Sequence, residues 1–410
     1  MAQLYVKKFD MINPFVVAAS PATQGAINVL KTAKMRPGAI TMRNFGHGAG
    51  GGSFVGGGEK AIYGGGQVYH SHAAGTSLPD IVDSLEKYCE EVKLAKSKLD
   101  SDIRLWVSVG HYSDIVAGGD WQNEWVRQAK ELELAGADAL ELHFNTPGVA
   151  TMGGRLFDYY HLVTHCTHMI KSVVKIPVMV KLAVENCDAL VSITNATIAG
   201  ADAVGPTARW KAFTFDLDFK RSQPNPGGGY GGTQATPIVC NTVAEARSKG
   251  ITTPMYAGGG VFNYENAARI LMSGSEMVQF GALACSAGPM ACKRVIDQLD
   301  KWMDENGYAT IDELTGAALE LYNMPKAKAQ FRIKAVANEY KAAQIDMSKC
   351  IGCGRCADVC WNYALDMDGR TPVKTDKCIG CGYCFQVCPT GALACDIGGT
   401  LKKAYDEYEG

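Results

Sequence analysis

The sequence predicts an α/β protein: a (β/α)8 TIM barrel followed by a small, cysteine-rich α+β domain. Three observations carry that prediction. Across the first three hundred residues, short β-rich runs alternate with helix-length segments, the pattern of parallel strands joined by crossover helices. The last two of these runs end in glycine, at Ala257-Gly258-Gly259-Gly260 and Phe280-Gly281-Ala282. Nine of the 15 cysteines fall between Cys350 and Cys395, where a metal or a disulfide framework is needed to explain them.

The expected strands are 15–19, 39–43, 104–110, 139–144, 177–182, 202–205, 254–258 and 276–280. Each is a short run of apolar or β-branched residues. Helical patterns occupy 79–98, 121–135, 159–173, 188–199 and 264–273 between them. Eight such units in this length are the signature of a (β/α)8 barrel, whose chemistry sits at the C-terminal strand ends. The segment VKKFDMINPF is expected as a hairpin closing the opposite end. From Pro289 to about Lys341 the chain reads as largely helical, with the proline suited to a first turn. The boundaries expected are 1–300 for the barrel, 301–341 for a helical linker, 342–396 for the cysteine-rich domain and 397–410 for a tail.

Composition narrows the partners. In 410 residues, 47% are hydrophobic and 20% charged, with a formal net charge of -2, so nothing points to nucleic acid or an anionic membrane. The N-terminus lacks the basic start and apolar run of a signal peptide, and no apolar stretch has the length of a span. A cytoplasmic protein is expected. Cys89, Cys166, Cys187, Cys240, Cys285 and Cys292 are scattered and read as small buried hydrophobes.

The cysteine cluster reads Cys350-IG-Cys353-GR-Cys356-ADV-Cys360 and then Cys378-IG-Cys381-GY-Cys384-FQV-Cys388-Pro389. This is C-x2-C-x2-C-x3-C twice. Three thiolates from one tight loop hold an iron–sulfur cluster, and the fourth crosses to the other cluster. One [4Fe-4S] cluster is therefore expected on Cys350, Cys353, Cys356 and Cys388, and the second on Cys378, Cys381, Cys384 and Cys360. Glycines at 352, 354, 380 and 382 let the backbone fold round each cluster. Zinc ribbons use paired knuckles rather than triple runs, and a reducing compartment opposes disulfides. Trp361 stands where the first copy would have proline, and Cys395 is spare. The segment resembles a bacterial two-cluster ferredoxin, which implies a wire for single electrons.

The barrel segment resembles a family too. Asn13-Pro14-Phe15 followed by Ala19-Ser20-Pro21, the strand IPVMVKL with Lys181, GYGGTQATPI at 229–238, and the GGG and QFGA strand ends are similar to class 1 dihydroorotate dehydrogenases. With the cysteine-rich segment appended, the chain is similar to the pyrimidine-reducing half of dihydropyrimidine dehydrogenases. The resemblance implies FMN at the barrel mouth, with its phosphate on the loops of Gly258, Gly259, Gly260, Gly281 and Ala282. It places Ala19, Ser20, Asn145, Thr207 and Gly231 on the cofactor. Arg43 and Lys181 would stabilise the negative charge of reduced flavin.

The run His143-Phe144-Asn145-Thr146-Pro147 aligns with a family loop in which a cysteine transfers the proton opposite the flavin's hydride. Thr146 occupies that position, the family's first asparagine in the same loop becomes His143, and its Asn-Thr after strand six is replaced by Gly205-Pro206-Thr207-Ala208-Arg209. Those asparagines bond a pyrimidine ring, so their loss predicts a different small cyclic substrate. His70, His72, His143 and Arg209 are its expected contacts. The glycine-rich stretch GHGAGGGSFVGGGEKAIYGGG is expected as a lid, not a dinucleotide site, because no helix opens from it. His161, His165 and His168 share a helical face that points away from the mouth, and no metal is expected there.

These readings predict an iron–sulfur flavoprotein that reduces, or reversibly oxidises, an activated C=C bond. Its electron partner is a ferredoxin or a separate FAD/NAD(P)H-binding subunit, in a homo- or hetero-oligomer. Two alternatives stay open: a true dihydropyrimidine dehydrogenase acting on uracil or thymine, and a non-catalytic electron-relay subunit.

Overall fold

The computed structural model describes residues 4–43, 61–63, 66–70, 84–110, 115, 119–144, 159–183, 187–208, 210–213 and 227–409. The chain divides into two compact units, Met1–Tyr322 and Asn323–Gly410.

In the first unit the strands are β1 (Phe15–Val17), β2 (Ala39–Met42), β3 (Ala61–Tyr63), β4 (Gly66–His70), β5 (Arg104–Val109) and β6 (Ala139–His143). They continue as β7 (Val178–Lys181), β8 (Ala203–Gly205), β9 (Trp210–Phe213), β10 (Gly227–Gly232), β11 (Tyr256–Gly258) and β12 (Met277–Phe280). Eight of them form one parallel sheet in the order β11-β12-β1-β2-β5-β6-β7-β8. A parallel bridge between Val204 and Met255 joins its two ends and closes the barrel. Each expected strand is present, shortened by one or two residues at its ends.

The barrel strands are buried except at Arg104 and His143, because helices cover the outer face and side chains fill the inner one. The helices form for the reasons their patterns give. In Leu85–Lys98 the buried residues are Leu85, Tyr88, Cys89, Val92 and Ala95, one stripe at helical spacing, and the Ser84 side chain accepts from the Lys87 amide at 3.2 Å. Trp121–Leu134 buries Trp125, Gln128, Ala129 and Leu132 in the same way. Helices Gly25–Ala33 and Thr236–Ser248 complete the ring, although their mixed small and polar residues gave no clear stripe in the sequence.

Inside the barrel, Trp106 meets Tyr256 edge-on at 5.4 Å, and on the opposite, helix-covered face of the sheet Phe15 stacks on Phe280 at 4.9 Å. The expected hairpin at the closed end is present: Val6 bridges Met11 antiparallel across a short turn. Beside it, buried Asn13 accepts from the amides of Phe15 (3.1 Å) and Gly38 (2.9 Å) and donates to the Arg36 carbonyl (2.8 Å). That side chain ties the starts of β1 and β2 together.

A second sheet was not expected. Strands β3, β4, β10 and β9 pair antiparallel in that order, so the insertion after β2 and the insertion after β8 meet. Its longest strand reads GGGYGG, which offers no alternation to recognise. Most of the stretch expected as a lid lies outside the described residues.

The expected linker divides between the units. Ala318 donates to the Met272 carbonyl at 2.9 Å, keeping 311–322 on the barrel. Helix Lys326–Ala342 belongs to the second unit, where it packs on Ile397–Glu409, the residues expected as a tail. Lys328 holds that pair together, its ammonium 3.9 Å from the Tyr405 ring. A hairpin of β13 (Leu365–Asp368) and β14 (Thr371–Lys374) separates the two cysteine runs. Among the described residues no helix is long and apolar enough to cross a membrane.

Candidate functional site

Each cysteine run ends in one short helix, Arg355–Asp358 in the first and Tyr383–Gln386 in the second. Gly354 and Gly382 precede them at φ +76° and +77°, a conformation that side chains oppose. The turn places three cysteines of a run round one cavity. The first cavity is lined by Cys350, Cys353, Cys356 and Cys388, and the second by Cys360, Cys378, Cys381 and Cys384. Those are the two crossed sets that the spacing predicts. Among the described residues no group of three or more His, Cys, Asp or Glu side chains closes on a single metal ion. The thiols of each set surround a space that fits a polynuclear cluster.

The surroundings suit a negatively charged cluster. The Ala364 amide donates to Cys360 Sγ at 3.2 Å. Burial pushes the Cys388 thiol up, but amides of Leu393, Thr390 and Ala392 and the Thr390 hydroxyl outweigh it and bring its pKa below the ordinary value. Burial, with crowding by Cys381 and Cys378, pushes Cys384 up to about 11. Bound iron would offset that crowding by holding the thiols as thiolates. Leu393 lines both cavities, and Ile351 and Ile379 wall one each, an apolar shell of the kind that sets cluster potentials.

At the barrel mouth, Lys181 ends β7 and is only 7% exposed. Its register partner is His143, half-buried at the end of β6. Arg43 follows β2, half-buried, its guanidinium 3.2 Å from Gln24 Oε1. Ala19 and Ser20 follow β1, where the Thr23 amide donates to the Ser20 carbonyl (3.0 Å) and the buried Ser20 hydroxyl has no partner among the described residues. Thr207 donates its hydroxyl to the Gly258 carbonyl at 2.6 Å, fastening the end of β8 to β11.

The glycine loops have different reasons. A Cβ on Gly260 would lie 2.5 Å from Thr236 Oγ1 and 2.6 Å from the Gly232 carbonyl, so packing alone demands glycine there. A Cβ on Gly258 or Gly259 would also press on side chains, of Gln279 and Val239. At Gly281 it would meet only the Ala18 Cβ, at 3.9 Å. The space over Gly281 is thus open, with Ala282 beginning a short helix beside it. An open cradle, a buried ammonium and an unpartnered hydroxyl at one barrel mouth fit a flavin phosphate and ring.

His70 ends β4, with its backbone paired to Gly228, and Gly231 pairs with Gln67 in the same small sheet. His72, Asn145, Thr146 and Arg209 lie outside the described residues. His161 and His165 stack at 5.9 Å on the outer helix, and Gln122 meets the His165 ring, so this face is a helix contact.

The sequence reading gave no role to Glu141, Tyr256 and Gln279. All three point into the barrel, with both Glu141 carboxylate oxygens, the Tyr256 hydroxyl and Gln279 Nε2 buried and unbonded among the described residues. A carboxylate in the middle of ALELH, an otherwise apolar strand, was the available signal.

Comparison with known proteins agrees with this geometry. The dihydroorotate dehydrogenase profile matches residues 83–303, more than half of the chain, and the 4Fe-4S dicluster domain profile matches 349–392. The catalytic subunit of dihydroorotate dehydrogenase B (NAD(+)) from Thermoplasma volcanium is 30% identical over 251 residues, 61% of this chain and 77% of that protein. The corresponding subunit from Petrotoga mobilis is 26% identical over 200 residues, 48% of this chain and 66% of its own. A putative dihydroorotate dehydrogenase A (fumarate) from Aeropyrum pernix is 28% identical over 205 residues, 50% of this chain. The chain spans 66% of the Petrotoga and Aeropyrum proteins, just under two thirds. By fold, strand ends and profile, the chain belongs to the dihydroorotate dehydrogenase family.

Proposed function

We propose that this chain is an oxidoreductase that holds FMN at its barrel mouth and two [4Fe-4S] clusters in its C-terminal unit, and that it reduces an activated C=C bond of a small cyclic substrate. The observation that carries the reading is the crossed arrangement of the eight cysteines, on a chain whose other unit is a dihydroorotate dehydrogenase-family barrel. Bound FMN supplies hydride chemistry and the clusters supply single electrons.

The chain's own residues then have definite tasks. Lys181 and Arg43 hold positive charge at the strand ends and stabilise negative charge that develops there. Gly281 leaves room for a phosphate beside the start of the next helix. Thr146 donates or relays the proton to the substrate carbon, with His143 as its proton source, since a hydroxyl alone is too weak an acid. His70, His72 and Arg209 recognise an anionic or carbonyl-rich ring. The relatives' printed names include a catalytic subunit of an NAD(+)-dependent enzyme, which supports a separate nicotinamide-binding subunit as electron partner.

A second reading is an electron relay without small-molecule chemistry. Threonine at the position of the family's cysteine favours it. Mixing the anaerobically reduced protein with uracil, thymine, orotate and unsaturated cyclic ketones and acids separates the readings. Rapid flavin reoxidation by a ring other than the pyrimidines is the expected result. Reoxidation by uracil or thymine makes the chain a pyrimidine reductase, and reoxidation only by ferredoxin or dyes makes it a relay.

A further inference from the structure

We propose that Glu141 is the buried counter-charge that holds Lys181 as an ammonium at the barrel mouth, a positioning residue for the cation on which flavin chemistry would depend. The register makes the pair. Glu141 on β6 lies opposite Met179 on β7, and His143, two residues further on, lies opposite Lys181. Alternation puts Glu141, His143, Met179 and Lys181 on the inner face, with Lys181 one step nearer the mouth. Glu141 is 0% exposed and Lys181 7%.

A lysine buried to that extent gives up its proton unless an anion lies nearby. A buried carboxylate likewise stays charged only beside a cation or with donors aimed at it. Both conditions are present here. Burial pushes the Glu141 carboxyl up, and Lys181 opposes that shift, helped by Tyr256 on β11, Gln279 on β12 and Ser108 on β5. These three polar groups face the carboxylate, yet the Tyr256 and Ser108 hydroxyls, Gln279 Nε2 and both carboxylate oxygens are without a hydrogen bond among the described residues. Thr41 on β2 is buried and unbonded in the same interior.

Polar groups from four other strands, left unsatisfied round one carboxylate among the described residues, are the setting in which buried water bridges donors to an anion. Among the described residues, the other titratable groups at this end are Tyr88, buried behind β2 and β5 and bonded to the Met42 and Ser108 carbonyls, Arg43 and His143. Tyr88 feels both Glu141 and Arg43, with opposite signs, and stays neutral.

The potential test rests on the flavin reading, so a second test is chosen that does not. Glu141→Gln keeps the shape and removes the charge. In protein carrying FMN, Lys181 then loses its proton at lower pH, and reduced flavin loses a stabilising cation. The flavin midpoint potential should fall below wild type, by a gap that widens as pH rises. A potential equal to or above wild type at every pH overturns the proposal, because Glu141 would then merely weaken the field of a lysine that stays charged.

The independent test is a melting cycle on the purified protein, with or without flavin. Glu141→Gln should melt below wild type, because it removes a buried negative charge that favours the Lys181 ammonium. Adding Lys181→Gln should recover part of the loss, because the ammonium that carboxylate stabilised is then gone as well. Should the single variant fail to fold, recovery of folding in the double variant supports the pair. A double variant no better than the single overturns it. If the protein holds no FMN, the proposed function fails while this cycle still reads.

Discussion

Cys360 and Cys388 exchange cavities: each ends one cysteine run and lines the cavity built by the other. The consequence is a crossed dependence. Cys388→Ala should empty the site of Cys350, Cys353 and Cys356 while leaving its own run loaded, and Cys360→Ala should do the reverse. Each variant, purified anaerobically, should retain about half the iron and one of two electron paramagnetic resonance signals. Loss of both clusters from either variant, or of the cluster on the mutated run, contradicts the crossing.

Iron removal should act on one unit alone. The buried apolar residues of the second unit among those described are Ala364, Leu365, Ala392, Leu393 and Ala404, too little to hold 323–409 together without help. Chelation should therefore unfold this unit and leave the barrel intact. Hydrogen exchange on chelated protein checks it: amides in 350–395 lose protection, while those in β5 and β6 keep it.

Lys181→Met should keep the barrel folded and lower turnover by on the order of 100-fold, the scale for removing one aimed charge from a developing anion. FMN content measured alongside separates lost chemistry from lost binding. A variant with normal flavin and normal turnover removes Lys181 from the mechanism.

Thr146→Val should abolish turnover while flavin content and cluster reduction stay at wild-type levels. Thr146→Ser, which keeps a hydroxyl, should retain a measurable rate. Equal rates in wild type and the valine variant exclude the hydroxyl as the proton carrier.

At the other end of the barrel, Asn13→Ala should destabilise the first unit by roughly 2–4 kcal/mol, because the Phe15 and Gly38 amides lose their buried acceptor together. Thermal unfolding measures this directly. Flavin binding to the folded fraction should be unchanged, since Asn13 sits at the closed end.

Much of this was legible in the residues, and the exceptions have physical causes. The eight barrel strands announced themselves because strands buried on both faces read as unbroken apolar runs. The crossed cysteine sets follow from chain geometry alone, since a triple run turns too tightly for its fourth thiol to reach the same cavity. Strand β10 was invisible because glycine carries no periodicity. The division of 301–341 between units was hidden as well, because its helices look alike in sequence and differ only in what they pack against. Glu141 could have been flagged, but its tie to Lys181 required the β6–β7 register.

The measurement that tests the central claim most directly is a cofactor count joined to an anaerobic reductive titration. Protein purified without oxygen should carry about one FMN and eight irons per chain, and should accept about four electrons, two on the flavin and one on each cluster. Uptake of two electrons without iron, or of iron-linked electrons without flavin, would contradict the account of a barrel flavin fed by two clusters.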